Sequence, residues 1–218
     1  IARASLGEAH PRTAYALDLL GGVESRRGDF AKAEQLSRRA VAIYDKALGG
    51  HDVSVADAYT DLAKVYSRVG RWAEAESAQR TGMAVFATVL GSAHPMYAGA
   101  MAGLCEIHLH AGRVVEADAE CRESLAIRQR AVGSRNLGLV NPLMLLGDMH
   151  AARGELTAAD SLYSAALSIL QEHVDGQPRP FEFLYPRMAV VRDLQHRPAE
   201  AAELRRKAGG KPVRPLDF

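Results

Sequence analysis

Apolar residues along this chain return at intervals of three and four. Ala14, Leu17, Leu20 and Gly21 share one helical face, as do Tyr59, Leu62, Ala63 and Tyr66, and Ala33, Leu36, Ala40 and Ile43 repeat the behaviour in a second kind of segment. No stretch shows the sustained alternation of a half-buried strand, so the pattern predicts helices throughout. Gly and Pro punctuate them. Pro11, Pro95 and Pro142 fall at or near predicted helix starts, where a missing N–H costs least, and internal glycines supply the positive φ that ends a helix and turns the chain.

The segments recur in register. Leu6-Gly7 returns as Leu48-Gly49, as Leu90-Gly91 and, with one conservative change, as Val132-Gly133, at a step of 42 residues without insertion. Gly28, Gly70, Gly112 and Gly154 keep the same step, and five residues after each stands Ala33, Ala75, Ala117 or Ala159. One further step places His196 where the turn glycine belongs. Ile1 precedes Leu6 as Ile43 precedes Leu48, which reads as the tail of an earlier copy, and the missing initiator Met then points to the C-terminal piece of a longer repeat protein. The predicted division is the end of a preceding copy at 1–5, full copies at 6–47, 48–89, 90–131 and 132–173, a degenerate capping copy at 174–208 and a flexible tail at 209–218.

Each copy reads as helix, short turn, helix, longer connection. Gly21, Ala63, Cys105, Gly147 and Ala189 recur on the first helix and the alanines above on the second, so the two backbones can approach closely. One such pair cannot hide its own apolar stripe, so neighbours must stack. The expected fold is all-α, an α-α superhelix with a concave face.

With 27 Lys+Arg against 26 Asp+Glu, the formal charge of +1 removes the electrostatic drive toward nucleic acid or an anionic membrane. No apolar run approaches the ~18 residues of a membrane span. Two cysteines, Cys105 and Cys121, are too few for a disulfide framework and fit a reducing compartment. The expectation is a soluble, cytoplasmic chain.

These residues resemble tetratricopeptide repeats of the 42-residue variety found in kinesin light chains and in many bacterial sensor and kinase proteins. Leu6-Gly7-Glu8-Ala9-His10-Pro11 and Leu90-Gly91-Ser92-Ala93-His94-Pro95 look like the opening of that repeat, and Leu62-Ala63-Lys64-Val65-Tyr66 looks like its middle. The resemblance implies a non-catalytic scaffold whose first helices receive a peptide or helix from another protein, or from another domain of the same chain. The asparagines with which kinesin light chains hold cargo are replaced here by Asp18-Leu19, Thr60-Asp61, Ala102-Gly103, Met144-Leu145 and Pro186-Arg187, so that mode of binding is not expected.

If the family's geometry carries over, the groove residues are Tyr15, Asp18, Arg26, Asp57, Thr60, Lys64, Arg68, Glu106, His110, Asn141, Met144 and Asp148. Arg26, Lys64 and Arg68 would form a basic patch suited to a ligand with acidic residues at one end. The same residues are also what a solvated helix face ordinarily carries. His108 and His150 occupy equivalent places, with Cys105 and His110 nearby, but equivalent positions in stacked pairs lie ~10 Å apart, too far to share a zinc ion. Neither a metal nor a cofactor is therefore expected. Cys105 and Cys121 read as buried free thiols acting as small hydrophobes. No phosphate loop, nucleophile elbow or zinc-protease helix is present, so no catalytic residue is proposed. A regulatory region of a larger enzyme, such as a bacterial serine/threonine kinase, is the alternative. In the last copy, Pro186 should delay or kink the first helix, while Phe181, Phe183 and Tyr185 either cover the fourth copy or form a docking site.

Overall fold

The computed structural model describes residues 7–173 and 183–209. Its helices follow the predicted pairs: α1 (Pro11–Arg27) with α2 (Phe30–Leu48), α3 (Val53–Arg68) with α4 (Trp72–Leu90), α5 (Pro95–His110) and α6 (Val114–Val132), α7 (Val140–Ala152) with α8 (Leu156–His173), and α9 (Tyr185–Leu194) with α10 (Pro198–Lys207). Short 3-10 turns at Gly49–His51 and Leu137–Leu139 lie in two of the longer connections, and no strand occurs among the described residues. Among them also, no helix is long and apolar enough to cross a membrane. The predicted stub at 1–5, the start of the degenerate copy at 174–182 with Phe181, and the tail from 210 lie outside the described residues.

The chain divides into two compact units, Ile1–Ala111 and Gly112–Phe218. The break falls at the Gly112 turn, so α5 belongs to the first unit and α6 to the second. Within the first, α2 packs on α1, α3 on α2, α4 on α3 and α5 on α4, while the first helices α1, α3 and α5 also approach one another. Within the second, α6, α7, α8, α9 and α10 pack in the same consecutive manner.

The corners explain the His-Pro motif. His10 and His94 are N-caps whose Nδ1 atoms accept from the backbone N–H of Arg12 and Met96, each at 3.1 Å, with proline in the first helical position. Gly28, Gly70, Gly112 and Gly154 all turn the chain with φ between 74° and 87°. His196 takes their place with φ 59°, the sole non-glycine residue of positive φ among those described, so the register held even where its preferred residue was lost.

The small residues of the first helices are buried as expected. At Gly147 an added Cβ would stand 2.5 Å from the Tyr163 ring, so the α7–α8 contact admits no side chain there. Tyr163 is fully buried, and Leu139, Leu143, Ala166, Ile169 and Leu170 surround it in one apolar cluster. That cluster is closed by Leu184, Met188 and Val191. Of the residues expected either to cap the fourth copy or to form a docking site, Phe183 stands 42% exposed and Tyr185 is half-buried, while Leu184 between them is fully buried. The expected delay of α9 is observed, with Pro186 in its first turn.

An acidic side chain on each of the first four second helices reaches the following pair. Glu34, Glu76, Asp118 and Asp160 occupy the same register position. They contact Arg71 at 2.7 Å, His108 at 3.2 Å, Arg153 at 3.5 Å and Arg192 at 2.7 Å respectively. Arg71 also lies over the Tyr66 ring, 4.6 Å from its centroid.

Candidate functional site

The first helices of the first unit turn a run of side chains away from the second helices. On α3, Asp57, Asp61, Lys64 and Arg68 fall on one face by their three- and four-residue spacing, opposite Tyr59, Leu62 and Tyr66. The same register on α1 gives Tyr15, Leu19, Gly22 and Arg26, with Asp18 and Thr60 at its edge. Tyr15 and Leu19 are 58% and 54% exposed, large apolar side chains left in water. On α5 the register carries Gly99, Gly103 and exposed Glu106, so the face is shallow there.

Its electrostatics differ from the expected basic patch. Lys64 is not a free cation: its ammonium lies 2.6 Å from Asp61 Oδ1, one turn earlier on the same helix. Asp18 of α1 meets Asp61 across the α1–α3 contact, and burial, then the Asp61 charge and hydrogen bond, hold its carboxyl far above the usual range, at about 7. Asp18 Oδ1 is buried without a hydrogen-bond partner among the described residues. Asp57 is raised as well, by burial first and then by Asp61, with Lys64 opposing. The centre of this face is acidic. Arg26 and Arg68 are exposed at the helix ends, and His110, in the same register, stacks on Trp72 with ring centroids 5.6 Å apart, which places that register position by the turns.

Several predicted groove residues offer nothing to a partner. Thr60 is buried and donates to the Asp57 carbonyl at 2.9 Å. In the second unit Asn141 is exposed, but Met144 and Asp148 are buried. Asp148 accepts from the Tyr163 hydroxyl at 2.6 Å and from Arg187 Nε at 3.0 Å, so its charge is spent inside the fold. Leu19 and Asp61 are functional candidates that the sequence reading passed over, although each adjoins a residue it had singled out.

The histidines serve the scaffold. His108 is buried on Glu76, and His150 Nδ1 contacts Glu155 across the turn after α7. Among the described residues no group of three or more His, Cys, Asp or Glu side chains is arranged to hold a metal ion. Cys105 and Cys121 are fully buried as expected, but neither is a free thiol: both are disulfide-bonded. Burial alone does not distinguish a thiol from half of a disulfide, and the argument for a reducing compartment loses its support.

A second concavity of about 410 Å³ opens on the other face of α3, between α2 and α4. Val41, Leu62 and Ala78 form its apolar part, and Asp45 accepts from the Tyr59 hydroxyl at 2.7 Å beside them. Burial and that hydrogen bond push the Tyr59 phenol up to about 12.

Comparison with known proteins places this architecture. BtubC (BKLC) from P. vanneervenii superposes with a TM-score of 0.75 at 20% identity, covering 94% of this chain and 84% of that one. A kinesin-light-chain-like structure of nearly identical TPR-like repeats from Podosopora anserina gives 0.69 at 22% identity, covering 92% and 95%. The Rap conjugation gene regulator of the plasmid pLS20, solved in complex with the Phr* peptide, gives 0.75 at 14% identity, covering 89% of this chain and 52% of that one. No curated protein matches the sequence. At these identities the structural likeness speaks to the fold alone, but the tetratricopeptide repeat family matches residues 1–46, 16–88 and 96–172, and the chain belongs to that family.

Proposed function

We propose that this chain is a protein-interaction scaffold whose first-helix face on α1 and α3 seats a segment of another protein carrying apolar and basic side chains. The observation that carries the reading is a juxtaposition: exposed Tyr15 and Leu19 stand in the same register as Asp57 and Asp61, so an apolar anchor and an acidic centre adjoin on neighbouring helices. Aromatic anchors beside charge of one sign are the usual source of affinity and selectivity at such faces. The fold supports a peptide as the kind of partner, since a Rap regulator of like architecture is solved with one bound. Asp148, the acidic residue of the corresponding face in the second unit, is already neutralised, which directs the partner to the first.

The test is calorimetric titration of the intact chain with a short peptide alternating Leu and Arg, against the same peptide with Glu for Arg. The Leu/Arg peptide binds, and Asp57→Lys with Asp61→Lys abolishes its binding while helicity is kept. Equal affinity for both peptides, or preference for the Glu peptide, overturns the reading. A chain of formal charge +1 provides no general attraction for a cationic peptide, so the preference reports the local face.

A further inference from the structure

Asp18 and Asp61 belong to the first helices of successive pairs and meet where those helices approach. Oδ1 of Asp18 is fully buried and finds no donor among the described residues. The groups around it do not supply a counter-charge. Tyr15 lies on its own helix, Tyr44 faces it from α2, Asp57 and Asp61 face it from α3, and Asp52, the N-cap of α3, adds a further negative charge around Tyr44. Lys64 is the cation that faces Asp18, and its ammonium is already committed to Asp61 at 2.6 Å. Two carboxylates in contact cannot both ionise cheaply, and a carboxylate cannot donate to another without a proton. The contact therefore has a bond only when one proton lies between the two groups.

We propose that a proton shared by Asp18 and Asp61 ties α1 to α3, and that its release opens a second negative charge on this face for a basic side chain of the bound segment. This inference rests on the binding face proposed above and names its regulation. The chemistry is an exchange of counter-charge: the proton leaves the carboxyl oxygen for water, and an incoming guanidinium or ammonium takes its place beside the two carboxylates. No covalent bond between heavy atoms changes.

The direction of the pH dependence follows. An acid whose folded pKa is raised binds more protons in the folded chain than in the unfolded one between its two pKa values. For Asp18 those values are 3.8 and about 7, so the stabilisation from the protonated pair is full below the first and is lost as pH rises through the second. Capture of a cationic segment runs the other way and strengthens as pH rises through about 7.

The experiment is a carbon-detected NMR titration of the aspartate carboxyls in the ligand-free chain, in parallel with Asp61→Asn and Asp57→Asn. Asp18 is expected to titrate near neutrality in the natural chain. In Asp61→Asn its midpoint falls toward the ordinary carboxylate range, because the amide donates to a charged Asp18 without needing a proton, and in Asp57→Asn it moves less. Thermal unfolding of Asp18→Asn loses the decline that the natural chain shows between mildly acidic and neutral pH. If Asp18 titrates with the surface aspartates, or if Asp18→Asn keeps the natural slope, the shared proton is overturned. The Leu/Arg peptide then separates this failure from failure of the binding face. Affinity rising several-fold from well below to well above neutrality supports the exchange, and affinity indifferent to pH overturns it even if the carboxyl titrates as expected. No affinity at any pH removes the binding face, and the exchange with it, while leaving the ligand-free titration to stand or fall by itself.

Discussion

The first-helix faces of the two units occupy the same register and meet different fates. In the first unit Tyr15, Leu19, Asp57 and Lys64 are exposed, and Asp18 keeps a buried oxygen without a partner among the described residues. In the second, Met144, Leu145 and Asp148 are buried, and Asp148 is met by Tyr163 from the partner helix of its own pair and by Arg187 from the next. Asp148 stands at the register of Lys64, and Arg187 at that of Asp61. The same two positions thus hold an acid and a base in both units, but in the first the pair lies along one exposed helix, whereas in the second it crosses between pairs and is covered. A repeat position becomes scaffold or surface according to whether a neighbouring pair supplies the opposite charge and the cover.

Breaking the covered pair should have the largest effect. Arg187→Leu leaves Asp148 buried with the Tyr163 hydroxyl alone, and removal of one partner from a buried ion pair costs about 3 kcal/mol. Chemical denaturation should show that loss, and a change within experimental error would mean that Asp148 is not charged in the fold. Tyr163 gives a second view of the site: burial first, then the Asp148 charge, raise its phenol, so its absorbance should resist ionisation until the fold opens.

Next in size is the loss of an anchor from the open face. Tyr15→Ala should weaken the Leu/Arg peptide by about 1–2 kcal/mol, the range of a moderate interface anchor, with little change in thermal stability. A stability loss as large as that of Arg187→Leu would show that Tyr15 is packed rather than presented. The smallest effect belongs to Lys64→Leu. Its exposed ion pair with Asp61 is worth at most about 0.5 kcal/mol to stability, and denaturation of this variant beside Arg187→Leu measures directly how far burial separates the two pairs.

Much of the architecture was legible because stacking imposes the same demand at every step. Gly28 to Gly154 end helices with positive φ, and Ala33 to Ala159 admit a close backbone, so each leaves a mark of fixed period. The polar contacts between successive pairs were less visible. Their acids keep register from Glu34 to Asp160, but the bases that answer them come from three register positions, Arg71 and Arg153 from two places at turns and His108 and Arg192 from one shared place within helices. A long basic side chain can reach the same carboxylate from several origins, so selection need not hold its place.

The candidate site was legible in part. The family resemblance named Tyr15, Asp18, Asp57 and Lys64, which lie on α1 and α3. It did not tell how deep each lies. Thr60 turns its hydroxyl to its own helix backbone, and Asp148 is met by Tyr163 and Arg187, residue types that do not recur at their register positions. Lys64 was read as an open cation because Asp61, three residues before it, was not weighed as its partner. The oxidised state of Cys105 and Cys121 leaves no periodic trace at all, since only one copy carries the two residues.

The central claim is that the open face of α1 and α3 is where a partner docks. Amide chemical-shift mapping of the intact chain with the Leu/Arg peptide tests it most directly. The predicted result is perturbation concentrated at Tyr15, Asp18, Leu19, Asp57 and Asp61, with the opposite face of α3 around Tyr59 and Tyr66 unchanged. Perturbation centred on that opposite face, or on Asn141 and its neighbours in the second unit, would contradict the account.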